Sequence, residues 1–93
     1  MNYQIRCIVK ADRSSPYEHI AFVGGLNSDG SRWKFSQGDV IKMIKNKTHS
    51  FYVFKDGKIV NVIVAISKYG NEYIKTEADG EIPNNLLSLP TCP

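Results

Sequence analysis

Hydrophobic and polar positions alternate at the start of the chain. Over residues 3–10, Tyr3, Ile5, Cys7 and Val9 share one face and Gln4, Arg6 and Lys10 share the other, with Ile8 as the exception. A period of two predicts a half-buried strand with Cys7 turned inward. Residues 12–16 (Asp-Arg-Ser-Ser-Pro) carry turn chemistry. Ile20, Ala21, Phe22 and Val23 predict a second strand that stops at Gly24-Gly25. Residues 27–31 predict a loop, and Arg32, Trp33, Lys34 and Phe35 a short third strand.

The pattern then changes period. Val40, Ile41 and Ile44 form an apolar stripe, with Lys42 and Lys45 facing water, so a helix is expected over residues 36–45. Ser36 is a good N-cap, and Asp39 at the third helical position complements the helix N-terminus. Phe35 and Val40 occupy hydrophobic-staple positions. Lys45 and Lys47 lie near the negative end of the dipole, and Asn46 is a plausible stop.

Phe51-Tyr52-Val53-Phe54 and the run from Ile59 to Ile66 flank Asp56-Gly57, a pair that tolerates positive φ and favours a two-residue hairpin turn. The second arm has apolar residues on both faces, as a central strand does. Residues 72–76 predict the last strand, with Ile74 inward, and Leu86, Leu87 and Leu89 an apolar cluster that caps one edge of the core. Residues 79–83 are expected to be irregular.

The predicted class is α+β: a curled antiparallel sheet of about five strands with one short helix, in the order ββαβββ, and a small open barrel as the alternative. At 93 residues this is one domain, spanning residues 1–93.

Composition narrows the classes. With 42% hydrophobic and 23% charged residues, the chain is globular rather than disordered. A formal charge of +3 permits a polyanionic partner without requiring one. Cys7 and Cys92 form no CxxC pair, so a structural zinc site has no support, and two free thiols in a reducing cytosol are expected. No signal-peptide pattern is present, and the longest apolar run, Val62-Ile63-Val64-Ala65-Ile66, is too short to span a bilayer. The expected location is cytoplasmic.

Catalytic constellations are weak. Glu18 and His19 are adjacent, so on a strand they point to opposite faces, and His19 reads as a surface residue. The same geometry separates His49 from Ser50. The segment from Gly24 to Gly30 lacks both the P-loop ending and dinucleotide spacing, and reads as a turn. Glu77, Asp79 and Glu81 lack EF-hand spacing and read as a solvated loop. No cofactor motif is visible, and the chain is expected not to be an enzyme.

The chain also resembles a known family. Gly24-Gly25, then Trp33 and Ser36 before a short helix, Phe51-Tyr52-Val53, Tyr73-Ile74-Lys75-Thr76, Asn85-Leu86 and Leu89-Pro90 are together similar to domain-of-unknown-function family 3892, small domains of bacterial or phage origin. The resemblance covers nearly the whole chain and is most specific in its last twenty residues. It implies a compact α+β domain in which these residues are fold determinants, and it transfers no activity.

The functional expectation is a non-enzymatic binding or regulatory module with a macromolecular partner. Arg32, Lys34, Lys42, Lys45 and Lys47 would contact a nucleic acid electrostatically, with Trp33 or Tyr52 as a stacking platform. A core position for Trp33 is the competing reading. Alternatives are a protein-interaction module pairing through residues 72–76, or a small-molecule binder using tyrosines and Asn84-Asn85.

Overall fold

The computed structural model describes residues 2–10, 20–80 and 83–92, with only the backbone at Asn84. The predicted turn at 12–16, the Glu18-His19 pair, and Glu81 and Ile82 of the loop expected at 79–83 lie outside these residues. Nine elements follow in order: β1 (Asn2–Gln4), β2 (Cys7–Lys10), β3 (Ile20–Leu26), β4 (Arg32–Ser36), α1 (Gln37–Lys45), β5 (Ser50–Lys55), β6 (Lys58–Ile66), β7 (Glu72–Thr76) and the single-turn α2 (Asn84–Leu87).

The class is α+β, with more strands than expected and two sheets rather than one. One sheet has the order β1-β5-β6-β7 and the other β2-β3-β4. The predicted first strand is divided between them. Ile5 N–H donates to Tyr52 in β5 at 2.8 Å, while the next amide, Arg6 N–H, donates to Gly24 in β3 at 2.8 Å. The chain thus changes sheet between Ile5 and Arg6, and this resets the side-chain alternation. Ile5 and Ile8 are both buried, whereas Cys7 turns to the outer face. The expectation of an inward Cys7 is corrected by this bend. A second correction concerns direction: β1 runs parallel to β5, so the sheet is not wholly antiparallel.

The helix and the hairpin form as expected. Ser36 caps α1 by accepting from Asp39 N–H at 3.2 Å, and Val40 is fully buried. Asp56 and Gly57 take φ of 53° and 77°, the positive values a tight hairpin turn needs. β6 is central in its sheet, between β5 and β7. Ile74 of β7 and Leu86 of α2 are fully buried, as anticipated.

β4 and β7 are each an edge strand of their sheet, and α1 lies across the seam between them. It follows β4 directly and packs against β7. Gln37 Oε1 accepts Ile74 N–H, on the unpaired edge of β7, at 3.1 Å. The core fills the space between the sheets and the helix, with Ile8 and Val23 from one sheet, Phe51, Val53, Val62 and Ile74 from the other, and Val40 from α1. An aromatic group closes one end. Tyr3 stacks on His49 and Phe51 and tilts against Trp33, with ring centroids 5.5, 5.6 and 5.1 Å away. Among the described residues, no helix is long and apolar enough to cross a membrane.

Candidate binding face

Gly24 and Gly25 do not end the second strand; β3 runs through them to Leu26. The turn begins only at Asn27, whose N–H donates to Ser31 C=O at 2.8 Å. The reading of this segment as a glycine turn is therefore corrected, and the reason lies across the strand. Gly25 is paired with Trp33 on the inner face and Gly24 with Lys34 on the outer face. A Cβ at Gly25 would stand 2.8 Å from two atoms of the indole and would overlap Gln4 C=O. At Gly24 it would stand 3.0 Å from both cysteine sulfurs. Each glycine is needed by a bulky group on its own side of the sheet.

Those sulfurs are bonded to each other. Leu89 to Cys92 run beside β2, with Ile8 N–H donating to Pro90 C=O at 3.0 Å and Cys92 N–H to Ile8 C=O at 2.9 Å. This brings Cys92 against Cys7, Cα to Cα 4.9 Å, in a disulfide between residues 85 apart in sequence. The expectation of free thiols is overturned, because it rests on compartment and not on proximity. The cytoplasmic expectation loses the support that free thiols lent it.

The outer face of β2-β3-β4 is built in cross-strand rows. Val9, Phe22 and Ser36 make one; Cys7, Gly24 and Lys34 the next; Leu26 and Arg32 the last. Phe22 is 39% exposed, and Lys34 Nζ sits 5.5 Å above its ring centroid. Arg32, Lys34, Gly25, Trp33 and the two cysteines line an open depression of ≈ 250 Å³. The three strands contain Lys10, Arg32 and Lys34 and no carboxylate. The nearby Asp29 is engaged within its own turn, where Oδ1 accepts Ser31 Oγ–H at 2.6 Å and Ser31 N–H at 2.9 Å. The hydroxyl bond first, and the amide bond after it, hold the Asp29 carboxyl below its ordinary value.

The sequence-derived candidates do not all converge here. Arg32 and Lys34 do. Trp33 does not serve as a stacking platform: it is 8% exposed, with its ring against Tyr3, Phe35 and Phe51. Lys42 and Lys45 line a separate depression along α1, where Lys45 pairs with Glu72 at 2.9 Å. Lys47 follows the helix at φ 58°. Tyr52 is half-buried on the other sheet, opposite Asn61. In the sequence Phe22 stands out only as a strand residue. Its strand, residues 20–26, holds no polar residue, so no local alternation marks Phe22 as the outward position.

The C-terminal motif is occupied with structure. Asp79 Oδ2 accepts both the N–H and the hydroxyl of buried Thr76 at 3.0 Å, and Asp79 Oδ1 accepts Asn85 N–H at 3.2 Å. Asn85 Nδ2 closes the ring by donating to Thr76 Oγ1 at 2.9 Å. These bonds, with the one from Ile74 to Gln37, use the outward amides of β7 at positions 74 and 76. Backbone pairing of a partner strand at this edge would have to displace them. His49 Nδ1 lies 3.0 Å from Thr48 Oγ1, beside the stacked Tyr3. Among the described residues, no three of His, Cys, Asp and Glu are grouped to hold a metal.

A family model described as "Protein of unknown function (DUF3892)" matches residues 4–90. The chain belongs to the DUF3892 family. The match takes in Gly24, Gly25, Trp33, Thr76, Asp79 and Asn85. No curated protein and no solved structure matches the chain.

Proposed function

We propose that this DUF3892 domain is a non-enzymatic module that binds single-stranded nucleic acid on the outer face of β2-β3-β4. The observation that carries the reading is a sheet face with an exposed aromatic ring, Phe22, under Lys34 and with Arg32 two rows along, in strands that hold no carboxylate. A base has a π-face of its own and stacks on such a ring, while the cations follow the backbone phosphates. The Lys34 ammonium rides on a flexible stem and can leave the Phe22 ring for a phosphate. Phe22 takes the stacking role that the sequence offers to Trp33 or Tyr52.

Fluorescence anisotropy of labelled single-stranded oligonucleotides over a salt series tests this. Saturable binding that weakens with salt is expected. Phe22→Ala should weaken it by about 1–3 kcal/mol, the worth of one stacked base. Arg32→Glu with Lys34→Glu should weaken it and lower the salt slope by about 0.7 for each phosphate no longer neutralised. Lys42→Glu with Lys45→Glu should have the smaller effect, since those lysines line a different depression. Absence of binding at low salt by folded protein, or wild-type affinity in both face variants, would overturn the reading.

A further inference from the structure

We propose that the Cys7–Cys92 pair is a thiol–disulfide exchange site for small anionic thiols, with Arg32 and Lys34 as the cations that recognise them. The inference stands on the disulfide and its surroundings and does not require the oligonucleotide reading.

Three features distinguish this disulfide from a buried staple. First, both cysteines are half-buried and line an open depression of ≈ 250 Å³ on the outer face. Second, Gly24 separates Cys7 from Lys34 in one cross-strand row. A Cβ at that position would stand 3.0 Å from each sulfur, so the glycine leaves room for the disulfide to lie in this row beside Lys34. Third, Arg32 and Lys34 line the same depression, and the three strands around it hold no carboxylate. Cations beside a sulfur favour its thiolate, both as it enters and as it leaves.

The chemistry balances. An incoming thiolate attacks Cys92 Sγ, a new S–S bond forms to that sulfur, and the Cys7–Cys92 bond breaks with its electron pair leaving on Cys7 Sγ. A second thiolate attacks the small-molecule sulfur of the mixed disulfide and releases Cys92. In sum, two small thiols become one small disulfide and the protein becomes a dithiol, which takes up the two protons the thiols gave up. The reverse uses a small anionic disulfide as oxidant. Reclosure is favoured by geometry. The two backbone bonds of Ile8, to Pro90 at 3.0 Å and from Cys92 at 2.9 Å, hold the tail beside β2 without help from the sulfurs.

The test is native-state reduction of the whole chain by 2-mercaptoethanesulfonate, 2-mercaptoethanol and cysteamine. Alkylation and mass spectrometry follow the reaction while circular dichroism follows the fold. Rates are taken per thiolate and divided by those for an uncharged small disulfide, which removes each reagent's intrinsic nucleophilicity. The anionic thiol should be favoured over the cationic one by about tenfold at low ionic strength, the lower end of electrostatic steering. The preference should shrink as salt screens it, and Arg32→Glu with Lys34→Glu should abolish or reverse it. Equal normalised rates for the three thiols in the wild type would overturn the proposal. So would reduction only at the rate of global unfolding. The wild-type salt series decides the matter even if the double variant fails to fold. Oligonucleotide affinity is not a readout, so the outcome is separate from that of the binding assay.

Discussion

Trp33 lies directly across the sheet from Gly25, and its indole fills the space that a side chain at Gly25 would need. The glycine is a packing requirement rather than a bend. Gly25→Ala would press a methyl group into two indole atoms at 2.8 Å and into the Gln4 carbonyl. The carbonyl belongs to β1, so relief requires the strand itself to move. A loss of about 3 kcal/mol is expected, the upper part of the range for overpacked cores. Urea unfolding measures it, and a loss below about 1 kcal/mol would show that β1 yields easily.

Gly38 provides the contrast. It is the second residue of α1, its backbone is not in the left-handed region, and nothing lies within 4 Å of where a Cβ would be. Gly38→Ala restricts the unfolded chain without cost to the fold, so a gain of about 0.5–1 kcal/mol is expected in the same experiment. Opposite signs for Gly25 and Gly38 would separate packing from conformational entropy as the reason for each glycine.

Asp79 holds the end of the chain to the last strand. Three donors converge on its carboxylate, two of them from Thr76, which is fully buried. Asp79→Ala leaves the Thr76 amide without its acceptor, and a loss of about 2–3 kcal/mol is expected for bonds to a charged group. Because Asn85 Nδ2 and Asp79 Oδ2 both bond the Thr76 hydroxyl, Asp79→Ala and Asn85→Ala should couple through it by about 0.5 kcal/mol or more in a double-mutant cycle. Additive losses would mean that Asn85 acts independently of the carboxylate.

Much of this fold is legible wherever the signal is local. Ser36 and Asp39 announce the start of α1, and Asp56-Gly57 announces the hairpin, because a cap or a positive φ is satisfied by neighbours in sequence. The misreadings share a different cause. The bend after Ile5 depends on acceptors at Tyr52 and Gly24, in two different strands. Gly24-Gly25 carries the composition of a turn, and only the partners opposite reveal it as a strand. Cys7 and Cys92 are 85 residues apart and meet because the tail pairs with Ile8. At the candidate face, Arg32 and Lys34 are recognisable by charge. The aromatic position is not, because Trp33 and Phe22 differ in exposure through the face of the β2-β3-β4 sheet each occupies and not through residue type.

Asp29 gives the face a pH signature. Its folded pKa lies below the ordinary 3.8, first because Ser31 Oγ–H donates to it and then because Ser31 N–H does. The ionised form is therefore favoured by folding. The stability this adds is present above the unfolded value and is lost as pH falls through the lower folded value. Ser31→Ala removes the hydroxyl bond and keeps the amide bond. The Asp29 titration should then move up toward 3.8, and the acid-side loss of stability attributable to this group should shrink. A carboxyl-carbon NMR titration reads the shift, and an unchanged midpoint would remove Ser31 as its cause.

Trp33 carries its own test of how the core tolerates a polar group. Its Nε1–H is buried without a hydrogen-bond partner, the one such side-chain nitrogen or oxygen among the described residues. An unpaired buried donor costs about 1–3 kcal/mol. Trp33→Phe removes that penalty while keeping a ring against Tyr3, Phe35 and Phe51, and it leaves a small void beside Gly25. The two effects oppose each other, so a net change within about 1 kcal/mol of zero is expected. Trp33→Ala keeps neither the ring nor its packing and should cost about 3–5 kcal/mol. If Trp33→Phe loses nearly as much as Trp33→Ala, removal of the indole N–H brings no gain and the unpaired donor does not carry the expected penalty.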